Sequence, residues 1–194
     1  GVAGMANFSL TNTTPLAGSL SGSGTSSEAL VNLTAEGSLD WEHWGDGSLN
    51  RKAGVTAQLG PYTTVGIGND VQYGNDLRPI SWTDGTPLTS STSNTNGLFI
   101  AGVGQGFSFT APADTTTRTL IVHVGGWESG GTLTAQLSDG SAAPYTDVTT
   151  NVNGQYDRNY TLTYAAASAG QTLTVSWVVN SGYGNVTLNA AALQ

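Results

Sequence analysis

Apolar residues recur at every second position of this chain in short bursts, and the bursts are broken by Gly, Asp and Asn. In "QTLTVSWVVN", Leu173, Val175, Trp177 and Val179 fall on one face, because successive side chains of a strand point to opposite sides. That places Trp177 in a core. In "RTLIVHVGGW", Leu120, Val122 and Val124 face one way, and Ile121, His123 and, with continued alternation, Trp127 face the other. "ALVNLTAEG" alternates as well, setting Leu30, Asn32 and Thr34 against Val31, Leu33 and Ala35. Further short runs read as strands: "AGVTAQLG", "GLFIAG", "GFSFTAP", "GTLTAQLSDG", "NYTLTYAAA" and "GNVTLNAAAL".

Between several runs stand Asp46-Gly47, Asp84-Gly85, Asn96-Gly97, Asp139-Gly140 and Asn153-Gly154, pairs that supply the positive φ a tight hairpin needs. No segment sustains a 3.6-residue apolar period. The pattern predicts an all-β fold of roughly ten to twelve strands, a two-sheet antiparallel β-sandwich of jelly-roll type.

Residues 1–27 depart from this pattern. "VAGMANFSL" is a candidate strand, and "LAGSLSGSGTSS" has the composition of a flexible linker. The expected organisation is an N-terminal strand candidate plus Gly/Ser linker over 1–27 and one β-sandwich domain over 28–194. A chain of 194 residues buries one sizeable core.

Composition narrows the partners. Only 9% of residues are charged, against about 25% in ordinary soluble domains, so Thr, Ser, Asn and Gln must carry the surface. Five Lys and Arg against thirteen Asp and Glu leave a net charge of −8. Such a surface repels phosphate backbones and argues against nucleic acid as a partner. The absence of cysteine removes disulfides and thiolate chemistry. No apolar run reaches the length of a membrane span. No basic and then apolar leader is present, so any export signal is expected to have been removed; an extracellular or cell-surface location is the expectation.

Candidate chemistry concentrates in "SLDWEHWGDG", residues 38–47. In an extended segment Asp40, Glu42 and Trp44 point one way and Trp41 and His43 the other, which separates the acids from the imidazole. With Glu36, Asp46 and Asp84 also on hand, no defined acid/base pair emerges. His43 and His123 are the only histidines, which disfavours a zinc enzyme, and no Gly-x-Ser-x-Gly elbow occurs. The aromatic residues fit binding better, since sugar rings stack their C–H faces on Trp or Tyr while carboxylates and amides take the hydroxyls. Trp41, His43, Trp44, Trp82, Trp127 and Tyr183 are candidates, and each Trp has the competing role of plugging the sandwich. "GNDVQYGND" repeats Gly-Asn-Asp, so Asp70 and Asp76 are candidate Ca²⁺ ligands; two Asx-rich turns explain the repeat equally well. No other cofactor is expected.

Taken in order, "LVNLTAEGSLDWEHWGDGS", "NRKAG", "SWTDGTP", "GFSFTAPADTTTRTLIVHVGGW", "GTLTAQLSDGSAAPYTD", "YTLTYAAASAGQTLTVSWVV" and "GNVTLNAAAL" resemble a recurrent module of large secreted bacterial proteins. The chain is also similar to galactose-binding-like jelly rolls and non-catalytic carbohydrate-binding modules, a resemblance spanning residues 28–194. It implies a glycan or polysaccharide partner and carries over residues within "DWEHWG" and "SWTDG". Trp41, Trp44 and Trp82 would form an aromatic platform, with Asp40, His43 and Asp84 bonding sugar hydroxyls. A second expectation stays open beside this one: a structural subunit of an extracellular filament or surface layer, self-associating as residues 1–27 donate a strand to a neighbour's sheet edge.

Overall fold

The computed structural model describes residues 17–194, and the strand candidate "VAGMANFSL" lies outside them. The chain is all-β and almost wholly antiparallel. Its elements are β1 Ser19–Thr25, β2 Val31–Asn32, a one-turn helix α1 Leu33–Glu36, β3 Asp40–His43, β4 Asn50–Lys52, β5 Thr63–Val65 and β6 Val71–Tyr73. They continue with β7 Ile80–Trp82, β8 Gly85–Thr86, β9 Ser91–Asn94, β10 Gly97–Ala101, β11 Gly106–Ala113, β12 Arg118–Leu137, β13 Tyr145–Ala165 and β14 Gln171–Leu193.

The sandwich is one sheet folded over on itself. Strands β13, β12 and β14 lie side by side along their length, and all three shift register near Trp127, Val152 to Gln155 and Gly182 to Asn185. The half of β12 before this level pairs with the late halves of β13 and β14. The half after it pairs with their early halves and, through β14, with β11. The two halves face each other. Trp177, paired with Leu133, packs its ring 5.9 Å from that of Tyr160, which pairs with Val122 in the other half. Trp177 Nε1 donates across the core to the Gly125 carbonyl (2.8 Å), and Tyr164 Oη donates to the Pro112 carbonyl on β11 (3.0 Å). As the alternation requires, Leu173, Val175, Trp177 and Val179 are all buried here with Leu120, Val122 and Val124.

Several expected strands take another form. "RTLIVHVGGW" and "GTLTAQLSDG" are one strand, as are "QTLTVSWVV" and "GNVTLNAAAL": the glycines between them bend a strand instead of ending it. "ALVNLTAEG" yields only the two residues of β2 before α1, because the Asn32 side chain caps the turn by accepting from the Ala35 N–H (3.2 Å). "AGVTAQLG" forms no strand. The Gly/Ser stretch expected as a linker is β1 instead. It pairs residue for residue with Asn159–Ala165 of its own β13, and Gly22 and Gly24 let the rings of Tyr145 and Tyr160 lie against it.

A second, smaller core sits on the outer face of the sheet. Val31, Leu33, Trp41, Ile80, Trp82, Ala190 and Ala192 are buried together, with Ile121 packed against them. The parallel β2–β7 pair and β9 form the three-stranded sheet that builds this cover. The cover leaves the neighbouring part of the outer face open.

Candidate functional site: a cleft on the uncovered sheet face

The "DWEHWG" and "SWTDG" segments do meet, but inside the second core. Trp41 and Trp82 are 0% exposed, with ring centroids 5.4 Å apart, and the His43 ring lies 5.0 Å from that of Trp82. Trp41 Nε1 donates to Asp84 Oδ1 (3.0 Å), and Trp82 Nε1 donates to the Leu88 carbonyl (2.9 Å). Trp44 is buried against Phe109 and Tyr62, with one edge bordering a hollow of about 140 Å³. The aromatic platform expected of Trp41, Trp44 and Trp82 is therefore a sandwich plug. The small side chains of Ala190, Ala191 and Ala192 on β14 let β3 and its rings pack close.

The polar candidates beside them are spent on the fold. Asp40 is buried and accepts from Arg51 Nη2 (2.8 Å) and from the backbone N–H groups of Trp41, Gln58 and Leu59. Asp84 takes the Thr34 hydroxyl (2.6 Å), Trp41 Nε1 and the Lys52 ammonium. Partial burial works to raise its pKa, but these donors outweigh it and hold the carboxyl below the usual range. His43 Nδ1 is bonded to Asp46 Oδ2 (2.9 Å). Burial of Asp46 is likewise outweighed, by His43, Asn96 and Asn94, so Asp46 stays ionised to low pH.

Asp70 and Asp76 do not converge on a cation. Asp70 accepts from Tyr62 Oη (2.9 Å); burial first, and then this partner, push the Tyr62 pKa up to about 12. Asp76 takes the Tyr73 hydroxyl, Asn189 Nδ2 (3.0 Å) and the Arg78 N–H (3.0 Å), leaving little lone-pair capacity for a metal. Among the described residues no three Asp, Glu, His or Cys side chains come together as a metal site.

Trp127 stands apart. It is 46% exposed, and it is the one indole of five that reaches solvent. It borders a cleft of about 260 Å³ on the uncovered sheet face. Tyr73 on β6, Phe99 on β10 and Trp127 on β12 supply its apolar walls, while Asn75, Gln155, Asn185 and Thr187 supply polar groups. Period two explains the assembly. Leu98, Ile100, Val186 and Leu188 face the main core, so Phe99, Asn185 and Thr187 between them face out. Trp127 is flanked by Gln155 on one neighbour and Asn185 on the other. At Gly126 a side chain would strike the buried Tyr156 Oη at 2.6 Å and the Asn185 carbonyl at 2.7 Å, so only glycine lets the strands and the Tyr156 ring pack this closely behind Trp127.

The walls are held from behind. Gln155 Nε2 donates to the Asn75 carbonyl (3.2 Å). Tyr73 is fixed through its hydroxyl by Asp76 and Asn189, and burial, helped by Asp76, raises its pKa far above the ordinary value. Asn189 is the extra residue where β14 bulges against β12 between His123 and Val124. Its Oδ1 accepts from Arg78 Nη2 (3.0 Å). Arg78 is fully buried and also donates to the carbonyls of Val124 and Arg158 and to Asn159 Oδ1. Among the described residues no Asp, Glu, Lys or Arg lines the cleft. The side-chain oxygen of Asn185 is buried with no hydrogen-bond partner among the described residues.

Of the residues expected to bind, only Trp127 belongs to this cleft. Tyr73, Asn75, Phe99, Gln155, Asn185 and Thr187 carry no sequence signal of their own. The nearest one is the density of glycine around "GGWESGG" and "SGYG", where the strands bend.

No family model matches the sequence, and neither does any curated protein. Solved structures similar to it include three that each share 10% identity. The CBM22-1–GH10 modules of the Clostridium thermocellum endo-1,4-β-D-xylanase 10B, complexed with xylohexaose, align with 69% of the chain at a TM-score of 0.44. TmCBM61 in complex with β-1,4-galactotriose aligns with 69% of the chain and 88% of its own length, also at 0.44. The enzymatically active domain of bacteriophage CBA120 tailspike protein 4 aligns with 70% of the chain at 0.40. The chain spans about a quarter of the xylanase structure (26%) and about a fifth of the tailspike domain (19%).

Proposed function

We propose that this chain is a non-catalytic binding module for a neutral carbohydrate, and that the cleft beside Trp127 is its site. One observation carries the reading: an exposed indole and two further aromatic rings face a cleft whose polar groups are amides and a hydroxyl, with no charge among them. Aromatic rings match the C–H faces of a sugar, and amides match its hydroxyls as both donor and acceptor. A uronic acid or phosphate would find no cation here and would face a net charge of −8. Acid/base chemistry needs a titratable group within reach of the ligand. The tyrosine in the lining has its pKa pushed far up, which argues for holding a ligand and not cleaving it.

An extracellular setting follows from the same reading, because polysaccharides of this kind are met outside cells. Among the described residues no helix is long and apolar enough to cross a membrane.

The test is Trp fluorescence. Four of the five indoles are buried, so the solvent-sensitive part of the emission comes from Trp127. Neutral β-linked glycans are expected to shift that emission to the blue and to shield it from iodide, and Trp127→Ala is expected to abolish binding in affinity electrophoresis. Glycan retention unchanged in Trp127→Ala would remove this cleft as the site.

A further inference from the structure

The three long strands leave register at one level. Between Trp127 and Ser129, β12 holds the single residue Glu128; opposite it β13 holds Asn153 and Gly154, and β14 holds Tyr183 and Gly184. Glu128 has a φ of 48°, in the left-handed region where glycine is the easy choice. What glutamate adds there is a carboxylate. Its Oε1 accepts from the Gly154 N–H (2.9 Å), and its Oε2 accepts from Tyr183 Oη (3.0 Å). One side chain thus ties the bulges of all three strands together. A non-glycine residue kept in such a conformation marks a position the surrounding structure holds deliberately.

What the tie holds is Tyr183. This ring is 76% exposed, stands edge-on to Trp127 at 6.1 Å and 88°, and lies outside the cleft. An exposed tyrosine without a tether samples several rotamers and must be ordered on binding; one already fixed avoids that cost.

We infer that Glu128 is a positioning residue for an outer aromatic subsite, made by Tyr183 with Trp127, which takes the next ring of a neutral oligosaccharide seated in the cleft. This rests on the carbohydrate-binding reading of the cleft. It adds that the ligand is a chain and that its length is sensed at Tyr183. The Gly184 position shows how close the packing is: a side chain there would meet the Trp127 carbonyl at 1.7 Å, so β14 carries Tyr183 past Trp127 only with glycine next to it.

The experiment compares the wild type with Glu128→Gln, Tyr183→Phe and Tyr183→Ala. Xylobiose to xylohexaose and β-1,4-galactotriose serve as probes in calorimetry, and iodide quenching of Trp127 is read in parallel. Tyr183→Phe keeps the ring and removes the hydroxyl, so it tests the tether without disturbing the fold. Glu128→Gln and Tyr183→Phe are expected to raise quenching about twofold. They are expected to weaken the longest bound oligosaccharide about fivefold to tenfold, the scale of one hydrogen bond's net contribution, and to leave the shortest within about twofold. Tyr183→Ala is expected to erase the preference for length. Wild-type quenching in both tether variants overturns the role of Glu128, and an unchanged length preference in Tyr183→Ala overturns the subsite. Failure of the wild type to bind any probe overturns the cleft reading and the subsite with it; quenching still reports whether Glu128 holds Tyr183.

Discussion

Glu42 is expected to make this protein lose stability as pH rises toward neutrality. Its side chain is 1% exposed on β3, Oε2 has no partner among the described residues, and the Arg51 guanidinium is 3.6 Å from Oε1. Burial raises its pKa from the ordinary 4.5 to about 7, Arg51 opposing the rise and Asp40 adding to it. Below about pH 4.5 Glu42 is neutral in folded and unfolded chains alike, and no penalty exists. Between about pH 4.5 and 7 the unfolded chain ionises while the folded one does not, which draws the equilibrium toward unfolding. At about 1.4 kcal/mol per pH unit, the loss reaches about 3 kcal/mol once the folded group has titrated. For a chain of this length that is a fall in Tm of about 6–12 °C. Asp157, raised chiefly by burial, pushes the same way. Asp46 and Asp84 are lowered, so their contribution is lost only in more acid solution. Calorimetric melts from about pH 4.5 to about pH 8 at constant ionic strength measure the effect. Glu42→Gln cannot ionise and is expected to flatten the slope, with Asp157→Asn removing most of what remains. A wild-type Tm that is level across this range, or a Glu42→Gln slope equal to that of the wild type, would refute the reasoning.

Other expectations follow from the packing. N-bromosuccinimide should oxidise one indole in the native protein, and peptide mapping should place it at Trp127, since the remaining four are buried. Trp177→Ala removes a fully buried ring and its bond to the Gly125 carbonyl, and should cost about 3–5 kcal/mol in denaturant unfolding. Arg78→Met leaves Asp157 and Asp76 buried without their cation, and should cost about 3–5 kcal/mol while loosening the Tyr73 wall; oligosaccharide affinity should fall with it. Gly184→Ala should yield little folded protein, whereas Gly140→Ala, with open space around the new methyl, should cost only about 1–2 kcal/mol by chemical denaturation.

Local pattern determined the fold class. Alternation in "QTLTVSWVVN" and "RTLIVHVGGW" correctly assigns Trp177, Val122 and Val124 to the core, because the pleat fixes which neighbours share a face whatever the tertiary context. The same rule puts Trp127 on the face opposite Leu120, and that is where the cleft lies. Alternation says nothing about what covers a face. Trp41 and Trp127 both occupy the outer side of the sheet, and one is a plug and the other a surface, because α1 and the β2–β7–β9 sheet cover β3 and the end of β14 and leave Trp127 uncovered. Nor does a glycine pair announce whether it ends a strand or bends one. At Gly125 and Gly126 it bends one, since β13 and β14 continue to pair on both sides of the bulge. The cleft residues Tyr73, Phe99, Gln155 and Asn185 come from β6, β10, β13 and β14. Only the pairing of strands far apart in the chain brings them together, and Glu128 acquires its role from that same pairing.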